Sequence, residues 1–301
     1  MRILITGANG LVGRVLLEKM AATSQWEIFA TSRGEHRVSH FNYHYFSADL
    51  TNESDIDSLI RAVQPHVLVH SAAITQVDVC ELQREQALRT NVEAVHRLVR
   101  MLQPYRTHFI YLSTDFVFDG QKGMYTETDI PNPINFYGFT KAEAEKIVEN
   151  SGLPFNVVRT VLVYGILPNM SRQNILTWII HNLEARKPIR VVNDQWRTPT
   201  YVEDLANGLK LLARLRPVGY FNLAGSEYLT PYQFALRVAE IFDLDSSLIS
   251  PTYAHEFKET GTRPFKTGLK INKAQEILGY QPTPLNESLI CLRDWYRAHR
   301  V

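Results

Sequence analysis

Two short groups of residues in this 301-residue chain carry chemistry. The first is Tyr137-x-x-x-Lys141, where a phenol and an ammonium stand four residues apart and so share one face of a helix. The second is Ser113-Thr114-Asp115, which breaks abruptly from the apolar run His108 to Leu112. A polar triplet at the carboxyl end of a buried strand lies where an open α/β sheet keeps its ligands. Together these residues suit carbonyl reduction. Tyr137 can give a proton to an oxygen as hydride reaches the adjoining carbon, and Lys141 can lower the phenol's pKa through its charge. Thr114 can donate a hydrogen bond to the developing alkoxide, or only satisfy backbone groups at the strand end. Ser113 and Asp115 can orient substrate hydroxyls or shape the turn. Fourteen tyrosines make a chance Tyr-x-x-x-Lys match common, so position in the fold must carry the inference.

Such chemistry needs a hydride carrier, and the N-terminus offers a place for one. Arg2 to Thr6 reads as an apolar strand running into Gly7-x-x-Gly10-x-x-Gly13, after which Leu11, Val12, Val15, Leu16 and Leu17 keep helical spacing through Met20. Side chains at these glycines would block the tight turn, the approach of backbone to a pyrophosphate, or helix packing, and a helix N-terminus attracts the anion. An ordinary glycine turn is the alternative. The flanking strand and helix favour dinucleotide binding by Gly7, Gly10, Leu11, Val12 and Gly13. The residue that reads the adenosine ribose is expected about 20 positions past the glycines and is acidic in NAD-binding proteins. This chain has Thr31, Ser32 and Arg33 there, with Arg37 just beyond. Arg33 would pair with a 2′-phosphate, so NADPH is expected, with NADH as the alternative; a solvated loop arginine is the plainer reading.

The elements that must position these groups alternate. Strands are expected at Trp26 to Thr31, Tyr43 to Ala48, His66 to His70 and Phe155 to Thr160. Asp49 and Leu50 would lie at an adenine edge, or Asp49 would cap a helix starting near Ser54. Ser71, Ala72 and Ala73 would let backbone lie against a cofactor. One long amphipathic helix is expected over Glu81 to Leu102, with Asn91 on its apolar face bonding a neighbouring backbone. Beyond Gly165 the expectations are helices at Gln173 to Ala185, from Val202, and at Pro231 to Phe242 capped by Thr230. Short strands are expected at Ile189 to Val192 and Tyr220 to Leu223. The loop bearing Trp196 and Arg197, and the basic turn bearing Arg263, could grip an anionic substrate, with Asp115 as a further contact. This rhythm predicts an α/β chain: a Rossmann-type doubly wound parallel sheet with a smaller, interleaved α/β substrate-binding domain. Residues 1–164 form the nucleotide-binding part, which also receives 189–212, and 165–301 are mainly substrate-binding.

Bulk properties narrow the class. The formal net charge is +1 with both signs interspersed, so neither nucleic acid nor a membrane surface is an expected partner. No apolar run is long enough to span a bilayer, and the N-terminus lacks a signal-peptide pattern, so a cytoplasmic location is expected. Cys80 and Cys291 lack disulfide or metal spacing and read as inert, partly buried thiols. Ten histidines show no ligand spacing, and no metal is expected.

In this order the fingerprint, the Ser-Thr-Asp strand end and Tyr-x-x-x-Lys resemble the extended short-chain dehydrogenase/reductase superfamily. Across nearly its full length the chain is similar to dTDP-4-dehydrorhamnose reductases, through TGANGLVG, LSTDFVFDG at 112–120, YTETDIPNPINFYGFTKAEAE at 125–145, NDQWRTPTYVEDLA at 193–206, YFNLAGSEYLTPYQFA at 220–235 and GTRPFKTGLKINKAQEILG at 261–279. The resemblance implies NADPH-dependent reduction of the 4-keto group of a nucleotide-linked deoxysugar, with Lys141 also holding the nicotinamide ribose. It leaves two other readings: an epimerase or dehydratase that retains NAD, and a cofactor-binding regulatory subunit similar to that of methionine adenosyltransferase. A homodimer is the assembly considered. Two departures stand out. The family often has Gly-Gln-Leu-Gly where this chain has Gly10-Leu11-Val12-Gly13, and usually a serine at the place of Gly268.

Overall fold

The computed structural model describes every residue except 24, 38–41, 171, 257–259 and 300–301. Its frame is a seven-stranded, all-parallel sheet built from β1 (Arg2–Thr6), β2 (Glu27–Ser32), β3 (His44–Ser47), β4 (Val67–His70), β5 (His108–Thr114), β6 (Phe155–Thr160) and β10 (Gly219–Asn222), in the order β10-β6-β5-β4-β1-β2-β3. The central strands are near-continuous β-branched and aromatic runs because helices cover both faces. Strand order reverses between β1 and β4, paired Thr6 to His70 at their carboxyl ends. That reversal opens the crevice in which doubly wound sheets bind ligands.

On one face the core joins Val15, Leu16 and Met20 of α1 (Leu11–Ala21) to Leu205, Leu209 and Leu212 of α8 (Val202–Leu215). On the other, α2 (Glu53–Val63), α5 (Ala94–Leu102) and α6 (Phe136–Glu149) bury Ile56, Leu98 and Val148 against Leu68, Phe109 and Val157. A third core belongs to a smaller lobe of α7 (Ile175–Glu184), α9 (Pro231–Phe242) and α11 (Leu285–Ala298), with β8 (Ile189–Val192) and β11 (Ile249–Thr252) paired in parallel beside them. The two-residue strands β7 (Val163–Tyr164) and β9 (Thr200–Tyr201) pair between the lobes, and α10 (Asn272–Leu278) packs near α8 and β10.

Three expectations change. The helix expected over Glu81 to Leu102 is α3 (Val77–Leu82), α4 (Arg84–Leu88), a π-helical turn at Arg89–Glu93, and then α5. Within the π turn Asn91 is 1% exposed; its Oδ1 accepts from Ile74 N at 2.8 Å, and its Nδ2 donates to Ile74 O and Thr140 Oγ1, both at 3.0 Å. The widened turn carries the amide toward the strand-end loop, which a regular helix would not do. Segment 189–212 divides: β8 pairs with β11 in the smaller lobe, whereas α8 packs on α1, and β10 extends the main sheet. Lastly, Asn52 caps α2 by accepting from Ser54 N, while Asp49 accepts from Thr51 N and Oγ1. Among the described residues no helix is long and apolar enough to cross a membrane. Cys80 is buried, but Cys291 is exposed on α11.

Candidate active site

Tyr137 reaches the carboxyl end of β5 because the start of α6 is tied down on three sides. Asn135 caps the helix through Gly138 N at 2.8 Å and donates to Thr262 O at 2.9 Å. Glu81 Oε1 accepts from Phe136 N at 2.7 Å, anchoring the same turn to α3. Gly138 packs so tightly that a Cβ there would lie 2.0 Å from Phe116 O. The phenol sits in a small apolar cluster with Val77, Cys80 and Ala87, edge-on to Phe116 at 6.2 Å. Burial pushes the Tyr137 phenol up, opposed in part by its contact with the Thr114 side chain.

Thr114 Oγ1 donates to Asp115 Oδ1 at 3.0 Å and accepts from Phe116 N at 3.3 Å. Asp115 is 3% exposed, accepts from Thr267 Oγ1, and faces Arg197 Nε at 3.9 Å. Burial raises its carboxyl above the usual range, and Arg197 pulls the other way. Lys141 Nζ donates to Leu112 O at 2.7 Å and lies 4.1 Å from the centre of the Tyr111 ring. Burial brings its ammonium down to about 7, against Glu145 and then Cys80. The expected effect of Lys141 on the phenol is therefore not the governing one. Both groups are almost dry, and loss of water outweighs their neighbours' charges.

The glycine turn is tightly packed. Gly7 has φ +71, and a Cβ there would approach Ala72 N to 2.8 Å and Ser71 Oγ to 2.9 Å. A Cβ on Gly13 would come within 2.3 Å of Gly7 O. The first turn of α1, containing Leu11 and Val12, has no side-chain cap and no acidic residue, so its N–H groups can receive an anion. This cradle, closed from the β4 side by Ser71, Ala72 and Ala73, fits a pyrophosphate. Past β2, Ser32 and Gly34 carbonyls accept from Tyr45 Oη at 3.1 and 2.8 Å, while Asn9 Nδ2 donates to Glu35 O at 2.9 Å and its Oδ1 accepts from Arg37 N at 3.1 Å. Arg33 is exposed at this loop and helps hold Asp49 low, behind the hydrogen bonds from Thr51. Leu50 is packed partly buried beside α2 and α5. Arg14 also comes close to Arg37; burial lowers Arg14 first and the second arginine lowers it further. Two cations held together mark an anion-seeking corner, and Arg14 and Asn9 were not among the expected contacts. Their signal was position alone: each lies within the glycine turn or the first turn of its helix.

The expected substrate contacts fare differently. Trp196 is half-buried, its ring 5.3 Å from that of Tyr228. Arg197 is 3% exposed and turned inward, donating to Trp196 O and Phe265 O through Nη1 and to Gln195 Oε1 and Pro264 O through Nη2. It braces the 193–200 loop against the 261–270 turn instead of presenting its fork to solvent. Arg263 pairs with Asp78 of α3 at 2.8 Å. Asp115 is likewise bonded internally. Gly268 has a reason of its own: a Cβ there would lie 2.5 Å from the Tyr228 ring and 2.9 Å from Met124 Sδ. Among the described residues no cluster of three or more His, Cys, Asp or Glu could hold a metal ion.

A parallel sheet with this strand order, a glycine cradle at its switch point, and Tyr-x-x-x-Lys on the helix after β5 define a Rossmann-fold protein of the short-chain dehydrogenase/reductase class. More narrowly, the chain belongs to the family described as RmlD substrate binding domain, which matches residues 1–295. It is 34% identical over 255 residues to methionine adenosyltransferase 2 subunit beta of Rattus norvegicus, covering 83% of this chain and 75% of that one. It is 29% identical over 309 residues to dTDP-4-dehydrorhamnose reductase of Aggregatibacter actinomycetemcomitans, covering 99% and 96%. The crystal structure of dTDP-4-dehydrorhamnose reductase from Bacillus anthracis in complex with NADP superimposes with a TM-score of 0.83 at 26% identity, over 97% of this chain and 98% of that one.

Proposed function

We propose that this protein is an NADPH-dependent oxidoreductase that reduces the 4-keto group of a nucleotide-linked deoxysugar, dTDP-4-dehydro-L-rhamnose or a close analogue. The observation that carries the reading is the convergence of Thr114, Tyr137 and Lys141 at the carboxyl end of β5, sealed by Val77, Cys80 and Phe116. A bound dihydronicotinamide supplies the hydride. Tyr137 Oη gives its proton to the sugar's carbonyl oxygen, and its raised pKa keeps that proton in place until the oxygen becomes basic. Thr114 turns its hydroxyl from Asp115 to the same oxygen. Lys141 holds the ribose hydroxyls and lends positive charge. The apolar cluster keeps water from competing for the proton. NADPH is assigned through Arg33, Arg37 and Arg14, and the dTDP-4-dehydrorhamnose reductase bound to NADP supports it. The Trp196 loop and the 261–270 turn, joined by backbone bonds from Trp196 N to Phe265 O and from Thr267 N to Trp196 O, would form one wall of the nucleotide-sugar site, with Arg263 near the diphosphate. A cytoplasmic homodimer is the expected setting.

A second reading has specific support in the similarity to methionine adenosyltransferase 2 subunit beta: a cofactor-binding subunit without turnover. One experiment separates the two. Purified protein, NADPH and dTDP-4-dehydro-L-rhamnose are mixed and nicotinamide absorbance is followed, with Tyr137→Phe in parallel. Wild type consumes NADPH, and the variant binds it equally but loses at least about a hundredfold in rate, the span of one general acid. Equal inactivity of both, with NADPH still bound, transfers the assignment to the second reading.

A further inference from the structure

Glu145 lies one helical turn beyond Lys141 on α6 and is 1% exposed. Its carboxylate accepts three hydrogen bonds: from Ser113 Oγ at 2.5 Å and Arg159 Nε at 3.1 Å on Oε1, and from Arg159 Nη2 at 2.7 Å on Oε2. Ser113 and Arg159 are direct register partners on β5 and β6, so one carboxylate clamps the helix to both strands. Arg159 is 2% exposed and lies over the rings of Phe118, at 4.9 Å, and Tyr220, at 4.7 Å. The clamp is not remote from the proposed chemistry. Ser113 stands between Leu112, whose carbonyl receives Lys141 Nζ, and Thr114. A buried ion pair is a poor device for stability alone, because desolvation offsets its attraction. Its place beside a buried ammonium therefore calls for another reason.

We propose that Glu145, fixed by Ser113 and Arg159, is a positioning residue for Lys141: its clamp sets the register of α6 on β5, and its charge favours the lysine's ammonium form. The inference rests on the reading of Lys141 as part of the reducing site. Lys141 faces His70 from β4, Tyr111 from β5, Cys80 from α3 and Glu145 from its own helix, on which Tyr137 stands one turn earlier. Burial holds His70 neutral, with its pKa down to about 3, and the Cys80 thiol is pushed up to about 11. The Tyr111 and Tyr137 phenols are raised and remain protonated at neutral pH. Among the described residues, the carboxylate that acts on Lys141 is that of Glu145, which Arg159 also holds.

The test reads Lys141 directly and turnover separately. In 15N-lysine-labelled protein, the Nζ signal assigned by Lys141→Arg is titrated in wild type, Glu145→Gln and Ser113→Ala. Removing the carboxylate's charge is expected to move the Lys141 midpoint down by about one pH unit or more, the lower end of an opposite-charge effect. The alkaline limb of kcat/KM for NADPH-dependent reduction should move down by the same interval. Ser113→Ala, which keeps the charge and loosens the clamp, should lower kcat with a smaller movement of the limb. Should Glu145→Gln not fold, the double variant Glu145→Leu with Arg159→Met removes both charges and takes its place. A Lys141 titration that does not move in the Glu145 variant overturns the inference. A wild type without turnover overturns the reductase reading instead, and the lysine titration still decides the role of Glu145.

Discussion

Burial, more than charge, governs the individual side chains at the switch-point crevice. Tyr137 is raised and Lys141 lowered by the same cause, the removal of water, and the sequence-based expectation of a lysine-lowered phenol overlooked it. Types and spacing reveal that a phenol and an ammonium share a helix face; they do not reveal how dry that face is. Arg197 makes the same point, since a basic residue in a polar loop proved to be an internal brace. At the exposed end of the crevice charge matters more. Arg14 and Arg37 come close to each other near the glycine turn, and Arg33 adds to the Thr51 hydrogen bonds that hold Asp49 low. Reversing one of them should therefore act on cofactor choice and little else. Arg33→Glu is expected to weaken NADPH by roughly tenfold to a hundredfold relative to NADH, equivalent to about 1.5–3 kcal/mol for a charge-assisted hydrogen bond. Dissociation constants for the two cofactors, measured by nicotinamide fluorescence, check this. An unchanged ratio would remove Arg33 from the account of cofactor selection.

Element by element, strands were the most legible part, because β1, β5, β6 and β8 are short β-branched runs bounded by turn residues. The capped start of α9 at Thr230 was equally plain, since Thr230 and Gln233 form a reciprocal capping box ahead of Pro231. The interrupted path from Val77 to Leu102 was not legible. Its apolar spacing is nearly regular, and the π turn coincides with contacts from Asn91 to Ile74 and Thr140, 17 and 49 residues away. Asn91 did bond a neighbouring backbone, as expected from its place on an apolar face. Its removal tests how much that turn holds. Asn91→Ala leaves the Ile74 N–H without its partner and the Ile74 C=O with only the Cys80 thiol at 3.5 Å, and Thr140, which donates to Tyr137 O at 2.8 Å, loses a bond. A loss of about 2–4 kcal/mol is expected, from one to three for each buried group left unmade. Urea unfolding should show a lower midpoint at an unchanged slope. A loss below roughly 0.5 kcal/mol, the level of an ordinary surface change, would mean that the π turn is held by helix packing alone.

Across the whole molecule, the main sheet and the smaller lobe are not successive in the chain. The main sheet needs β10, and the core behind it needs Leu205, Leu209 and Leu212 of α8, so sequence beyond 200 completes a fold begun at Arg2. The mixed rhythm after Gly165 already suggested interleaving. The destination of each piece was not readable, because β8 and β10 are both only four residues long and only long-range pairing assigns them to different sheets. The active-site clamps cross the same divide: Thr267 bonds Asp115, Asn135 bonds Thr262, and Arg263 pairs with Asp78. A chain ending at residue 164 therefore lacks an edge strand, exposes the apolar face that α8 covers, and has no partner for these three contacts. Such a fragment is expected to be poorly soluble and without a dispersed amide spectrum, whereas the full chain melts in a single transition detected equally by far-ultraviolet circular dichroism and by tryptophan emission. Trp178 and Trp196 lie beyond Gly165 and Trp26 lies before it, so emission samples both lobes. Two separated transitions, or a folded 1–164 fragment that binds NADPH, would mean that the cofactor half is autonomous and that the C-terminal strands are appended to it.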